Sequence, residues 1–323
     1  MSQQMGLIPA TRTQMNLRAF VNVGVDMAGP FMVKMGRGKP QQKRWICLFT
    51  CLSTRAIHLE LCFSMDQDSF LNALARFIGR RGTPESIVSD NGTNFKGADN
   101  EMKRLYEIYE SEKLQNECTQ KRIQWKFNPP GGPHHGGVFE SMIKAAKCAL
   151  KDTLFKRDLT DEELQTAIIS VEGMINQRPL SYVSSEQEEF VLTPNHFIHG
   201  SLGGLLSPEV LDNTPLYQKK WRMVQQLLQE VWSRWLREWA TELNKRRKWH
   251  QQQENLKVND IVMIIEEDFN KPRGNFPLAR VVEVHTGPDD LVRSCKIQMA
   301  DGRTYTRIIQ KLVKIESAND HQT

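Results

Sequence analysis

The chain has 323 residues, 39% of them hydrophobic and 25% charged, with a formal net charge of +5 and a pI near 8.8. These values exclude wholesale disorder, and the length allows two or three domains, each burying its own core. The mild positive balance permits an anionic partner without demanding one.

No stretch reaches the ~18 apolar residues of a membrane span, and the first residues, MSQQMGLIPATRTQ, hold no signal-peptide core. A soluble intracellular chain with no membrane partner is expected. The six cysteines (Cys47, Cys51, Cys62, Cys118, Cys148 and Cys295) form no C-x-x-C pair and no Cys/His cluster of zinc-ligand spacing. Most lie in strand-like or helical apolar contexts, which suits buried thiols in a reducing compartment.

Residues 1–18 are polar and irregular. Residues 19–26 (AFVNVGVD) predict a strand ending on Asp26. After a Gly/Lys-rich loop, residues 44–52 and 55–62 predict a hairpin with Ser53-Thr54 between its strands. Phe70, Leu74, Phe77 and Ile78 recur at helical spacing until Arg81-Gly82 and Pro84 stop the helix. A short strand then runs to Asp90, a charged helix covers 98–111, and RIQWKF (122–127) predicts another strand.

The loop NPPGGPHHGG precedes a helical pattern from Gly137 to about Leu154. Thr160 opens a capping box with Glu163, and its helix runs to Arg178, before Pro179. The order β-β-β-α-β-α-β-α-α predicts an α/β fold, a mixed sheet with helices on its faces. Residues 179–213 read as loop-rich. One long helix is predicted over about 214–250, with Trp221, Val224, Leu228, Val231, Trp235 and Trp239 as an apolar stripe. Residues 256–316 switch to period-two alternation broken by turns, a small antiparallel β domain.

Three carboxylates occupy matching places in this layout. Asp26 interrupts an apolar run, Asp90 ends the short strand in VSDNGTNF, and Glu140 falls in the first turn of the helix after the Gly-rich loop. A buried strand-end Asp with nothing to pair is costly, so it is either exposed or holds a cation. If the three converge on one sheet edge they can bind two Mg²⁺ ions, which clamp the attacking and leaving oxygens of an in-line displacement at phosphorus. Spacing alone leaves convergence open; Asp-Asn-Gly is also ordinary turn chemistry.

The segments FVNVGVDMAGPF, LFTCLSTRAIHLEL, FIGRRGTPESIVSDNGTNFKGA, FNPPGGPHHGGVFESMIKAAK, INQRPL and LTPNHFIHG follow one another in this order. Together they resemble the integrases of BEL/Pao-type LTR retrotransposons, and KWHQQQENLKVNDIVMI with PLARVVEVHTGPDDLVR resembles the domain that follows the catalytic core there. The resemblance spans about residues 15–316. It implies an RNase H-like core over 19–180 and a connecting region with the long basic helix over 181–250. An SH3-like antiparallel β-barrel over 251–316 would follow, with a linker-like segment (1–18) before the core and a tail (317–323) at the end.

The resemblance also implies an Asp-Asp-Glu triad at Asp26, Asp90 and Glu140, each both catalytic and metal-binding, with two Mg²⁺ or Mn²⁺ per site. The implied reactions are DNA 3′-end processing and strand transfer, by a homo-oligomer acting on element ends and target DNA in the nucleus. The Asp90–Glu140 interval is longer than in retroviral integrases but normal for the BEL/Pao group. Nothing before Asp26 is a His or Cys, so the N-terminal zinc domain of such proteins is expected to be missing.

Lys144 and Lys147, four and seven residues past Glu140, share its helix face and resemble the lysines that hold DNA phosphates beside the triad. Asn91 and His135 are further candidate DNA contacts. Asn91 and Asn94 either orient Asp90 or, the simpler reading, cap the next helix; His134 and His135, in the loop whose family counterpart gates the site, could contact DNA or lie near the metals.

The long helix carries nine Lys/Arg against three Glu, KRRK at 245–248 included, so its basic face suits phosphates. Its Trp stripe is most simply core or subunit interface. In the terminal β domain Lys296, Arg303, Arg307 and Lys311 are candidate phosphate contacts. The competing expectations are a truncated or domesticated integrase derivative that binds DNA without catalysis, and an interaction scaffold built on the Trp helix.

Overall fold

The computed structural model describes residues 18–36, 39–89, 104, 107–127, 150, 159–184, 189–203, 219–243, 255–265 and 276–316. Its first sheet is built from β1 (Asn22–Val33), β2 (Gln42–Cys51), β3 (Ile57–Cys62), β4 (Ser86–Ser89) and β5 (Gln124–Phe127) in the order β3-β2-β1-β4-β5. The β3-β2-β1 meander is antiparallel, whereas β4 and β5 add parallel to β1. That order and those directions define an RNase H-like mixed sheet.

Strand alternation sends the two side-chain sets to opposite faces. Val23, Val25, Met27, Cys47 and Phe49 pack under α1 (Gln67–Arg81) and α2 (Glu112–Gln120), through Phe70, Ala73, Leu74, Phe77, Leu114 and Cys118. Ile46, Leu48, Leu59 and Leu61 face α3 (Asp161–Asn176) and α5 (Lys219–Leu243). The apolar phase of α1 is the one predicted. Asp66 caps its N-terminus by accepting from the Ser69 amide at 2.8 Å, and Gly82, at φ 85°, ends it in a conformation glycine adopts cheaply. Thr160 and Glu163 form the expected capping box of α3.

Four sequence expectations need correction. The first strand does not end on Asp26; it continues to Val33 through a bulge between Ala28 and Phe31. The bulge inserts one residue, so Phe31 and Val33 turn to the α3 face although Val23, Val25 and Met27 face α1. The helix expected to reach Arg178 stops at Asn176, capped by Gln177. The region 179–213 is not merely loop: it holds a hairpin, β6 (Ser181–Ser184) with β7 (Glu189–Leu192), and α4 (Pro194–His199). Finally, α2 is a helix the sequence pattern did not separate; 104 and 107–110 are helical within the predicted 98–111 element, and the chain breaks at Ser111 before α2 begins.

The long helix is present over its described part as α5, and the described members of its stripe, Val224, Leu228, Val231, Trp235 and Trp239, are core. Trp232, Trp235 and Trp239 are buried; neighbouring indoles stack at 5.7 and 4.9 Å between centroids, with Phe276 edge-on to all three at 5.1–6.0 Å. Val224, Leu227, Leu228 and Val231 belong to the same cluster as Leu164, Ile168 and Ile175 of α3 and Met263 and Val313 of the second sheet.

That second sheet, β8 (Ile261–Ile264), β9 (Leu278–Thr286), β10 (Val292–Met299), β11 (Thr304–Ile308) and β12 (Leu312–Glu316), is antiparallel throughout, in the order β11-β10-β9-β8-β12. A 3-10 turn (Ile309–Lys311) joins β11 to β12, which returns to pair with β8, the connectivity of an SH3-like barrel. None of the described helices is long and apolar enough to cross a membrane.

Candidate functional site

Asp26 sits in mid-strand on the central strand of the first sheet, half-buried, opposite Leu48 of β2, which is itself opposite Leu59 of β3. It therefore lies on the α3 face. The Met27 amide donates to its Oδ1 at 2.7 Å. Two residues beyond Asp26 the strand enters the bulge. There Gly29 is required: a Cβ at that position would stand 2.8 Å from Cδ1 of Trp45.

On the other side of β1 the parallel strand β4 is in register, Gly24 with Val88 and Val25 with Ser89. Ser89, the last residue of β4, accepts a hydrogen bond from Trp125 Nε1 of β5 at 3.0 Å. In the segment predicted as the helix of Glu140, Leu150 is helical and fully buried in the cluster that contains Leu48, the cross-strand partner of Asp26.

Of the candidate residues, Asp90, Asn91, Asn94, His134, His135, Glu140, Lys144 and Lys147 lie outside the described residues, as do Cys148 and KRRK at 245–248. Among the described residues no group of three His, Cys, Asp or Glu side chains is placed to hold a metal ion. Asp26 offers a hard oxygen donor, the kind Mg²⁺ and Mn²⁺ take.

The basic candidates of the second sheet do not form one patch. Lys296 is in register with Thr306, whereas Arg307 is in register with the buried Cys295, so strand alternation puts Lys296 and Arg307 on opposite faces. Arg303 pairs with Asp301 at 3.0 Å on the surface, Arg307 lies over the Tyr305 ring at 5.3 Å, and Lys311 is exposed in the 3-10 turn. On α5, Arg234 is half-buried. The burial of the Trp232, Trp235 and Trp239 rings removes them as base-stacking platforms.

The largest polar cluster of the described core was not singled out from the sequence. His58 and Glu60 alternate on β3 toward the α1 face, both buried. His58 Nε2 meets Glu60 Oε1 at 2.9 Å, and its Nδ1 lies 3.2 Å from Glu172 Oε2 of α3. Glu60 also accepts from Arg76 Nε (2.6 Å) and Arg80 Nη1 (2.9 Å), while Glu172 takes Arg81 Nη2.

Burial works against the His58 proton, but hydrogen bonds donated by the ring to the Glu172 and Glu60 carboxylates outweigh it and lift the ring above its ordinary value of 6.5. Burial likewise works against both carboxylate charges; the hydrogen bonds to His58, aided by the arginines, win and hold Glu60 and Glu172 below the usual 4.5. The sequence signal was there in RAIHLEL: two ionisable residues two apart in a run otherwise fit for a buried strand.

The same elements close the outer edge of β3. Asn176 accepts from the Ile57 amide (2.9 Å) and donates to its carbonyl (2.8 Å), and Glu172 Oε2 accepts from the Leu59 amide (2.8 Å). Arg76 donates to the Leu61 carbonyl (2.6 Å), Ser69 Oγ accepts from the Phe63 amide (3.0 Å), and Arg178 donates to the Arg55 carbonyl. Arg178 is fully buried against backbone carbonyls only, and burial together with the nearby Arg55 charge lowers its pKa to about 9.

A model for a family of unknown function (DUF5641) matches residues 219–315, a span that opens with α5 and closes in β12. No curated protein matches the chain. Among solved structures it is similar to a chain of the simian T-cell lymphotropic virus intasome in complex with PP2A regulatory subunit B56 gamma: 11% identity, TM-score 0.40, covering 97% of this chain and 84% of that one.

It is also similar to the HTLV-2 integrase catalytic core domain in complex with magnesium, in dimeric and trimeric forms. Those matches have 18% and 17% identity and TM-scores of 0.37, covering 57% of this chain and 99% and 100% of those.

Proposed function

We propose that the chain is an integrase-type polynucleotidyl transferase of the BEL/Pao retrotransposon class, acting on DNA in the nucleus as a homo-oligomer. Asp26, Asp90 and Glu140 would hold two Mg²⁺ or Mn²⁺ ions, which supply Lewis acidity at the scissile phosphodiester and lower the pKa of the attacking hydroxyl or water. Lys144 and Lys147 would hold the DNA backbone beside them, with Asn91 and His135 as further contacts.

The observation that carries this reading is the parallel pairing of β4 with the central strand. Val25 lies beside Ser89, so the residues immediately following these two in sequence are Asp26 and Asp90. The burial of Leu150 on the Asp26 face of the sheet supports the same reading for the segment that carries Glu140.

The test is strand transfer of a short duplex into plasmid DNA by the full chain with Mg²⁺ or Mn²⁺. Joined product from the wild type, lost in Asp26→Asn, Asp90→Asn and Glu140→Gln alike, is the expected result. Equal yields from the wild type and all three variants would discard the enzymatic reading. Salt-sensitive duplex binding indifferent to metal and to Asp26→Asn would leave a DNA-binding protein without this chemistry.

A further inference from the structure

The His58 cluster lies at the edge of the sheet away from Asp26 and plays no part in the proposed chemistry. Its elements come from both sheet faces: β3 supplies His58 and Glu60, α1 on one face supplies Arg76, Arg80 and Arg81, and α3 on the other supplies Glu172. The remaining walls around the imidazole are aromatic. Phe77 of α1 is 5.5 Å from it between centroids, Phe49 of β2 6.3 Å, and Phe20 6.5 Å. Two further titratable groups, the buried thiols Cys47 and Cys62, stand near Glu60 on the same face.

Two groups compete for one ring nitrogen. Nε2 of His58 faces the Glu60 carboxylate in either protonation state and donates to it. Nδ1 is within reach of two opposite chemistries. Arg81 Nε stands 3.2 Å away and can only donate; Glu172 Oε1 and Oε2 stand 3.3 and 3.2 Å away and can only accept. A neutral imidazole satisfies Arg81 and leaves Glu172 with one donor fewer. An imidazolium satisfies Glu172 and releases Arg81 Nε, whose Nη2 stays on the Glu172 carboxylate. Glu172 Oε2 is also the acceptor for the Leu59 amide on the outer edge of β3.

We propose that His58 is a proton-operated clasp on the β3 edge. When protonated, it pins Glu172, and through it α3, to the strand; when neutral, it hands Nδ1 to Arg81 and loosens the Leu59–Glu172 closure. The direction follows from the sign of the His58 shift. Because the folded chain holds this proton more tightly than the unfolded one, the stabilisation is complete below pH 6.5 and is lost as pH rises through the higher folded value. The Glu60 and Glu172 contributions run the other way, complete above 4.5 and lost as pH falls through their lower folded values. The clasp is therefore tightest between about pH 4.5 and 6.5.

The test uses the full chain with ¹⁵N-labelled histidine, following the ring nitrogens by NMR between pH 5 and 9 and the hydrogen-exchange protection of the Leu59 amide over the same range. The expected result is a His58 midpoint above 6.5 with Nδ1 passing from acceptor to donor on acidification, and a protection factor at Leu59 that drops above that midpoint. In Glu172→Gln the midpoint falls toward or below 6.5, and in His58→Gln the pH dependence of Leu59 protection disappears. A wild-type midpoint at or below 6.5, or Leu59 protection that is flat across the titration, would overturn the proposal. These two wild-type readouts decide it even where a variant does not fold.

Discussion

Two places on the first sheet carry buried or half-buried carboxylates, and they are built differently. At the β3 edge, Glu60 and Glu172 are surrounded by cations, their oxygens divided among His58, Arg76, Arg80, Arg81 and the Leu59 amide. At the centre, Asp26 is half-buried in the middle of a strand whose flanking residues Val25 and Met27 are core, with the Met27 amide on its Oδ1. The edge charges complete the fold: an edge strand offers a row of unpaired backbone groups, and here side chains from α1 and α3 occupy that row. Asp26, on a strand paired on both sides, faces no such open row, and the role proposed for it is chemical.

The sharpest way to break this contrast is to remove charge at each place and measure both activity and stability. Asp26→Asn keeps the shape and removes the anion. If the contrast holds, metal-dependent strand transfer falls by on the order of 10³-fold or more. The denaturant midpoint of the full chain should move by no more than about 1 kcal/mol equivalent. A large stability loss with unchanged transfer would reverse the roles assigned to the two places.

Glu172→Ala is the opposite experiment. It leaves Arg81 without its carboxylate and His58 with Glu60 alone, and it frees the Leu59 amide; breaking a buried pair in this way costs about 3–5 kcal/mol. Chemical denaturation of the full chain reads that loss directly. A cost below about 1 kcal/mol would show that the cluster relaxes into water and does not hold the edge.

How much of this was legible in the sequence depends on how far each feature reaches along the chain. The ends of α1 and α3 were readable because Asp66, Gly82 and Thr160 act on neighbours within four residues. Asp26 was readable because a carboxylate in an apolar run stands out. Its strand was cut short because the bulge after Ala28 reverses the alternation, so Phe31 and Val33 no longer match the phase of Val23 and Val25.

The β6–β7 hairpin escaped because its four-residue strands carry little period-two signal and Ser and Glu are weak strand formers. The clasp escaped for another reason: His58 and Glu172 are 114 residues apart, and no local pattern ties them. Asp90 and Glu140, the other two carboxylates proposed for the metal site, stand out only as sequence motifs and lie outside the described residues.

A smaller effect sharpens the picture of the edge. Asn176 is fully buried and serves both the amide and the carbonyl of Ile57. Asn176→Ala leaves two backbone groups of an edge strand without partners, at about 1–3 kcal/mol for each buried group left unsatisfied. Because those groups can instead pair with another chain, the variant should also associate more readily than the wild type, as sedimentation of the two side by side would reveal. Loss of stability with no change in association would mean that the neighbouring contacts of Arg178 and Glu172 suffice to keep the edge closed.

The smallest effect tests whether the clasp depends on how α3 starts. Thr160 caps that helix three turns before Glu172: its Oγ1 accepts from the Glu163 amide at 3.4 Å, and the Glu163 carboxylate accepts from the Thr160 amide at 2.8 Å. Bidentate pairing of Asp161 with Arg44 of β2, at 2.7 and 2.9 Å, anchors the same turn to the sheet. Thr160→Ala removes half of the capping box and should cost about 1 kcal/mol, measured as a shift in denaturant midpoint. With Arg44 still holding the first turn, Glu172 keeps its register, so the His58 titration midpoint should stay where it is in the wild type. A midpoint that moves with Thr160→Ala would mean that the helix start, and not the pairing at the β3 edge, sets the position of the Glu172 carboxylate.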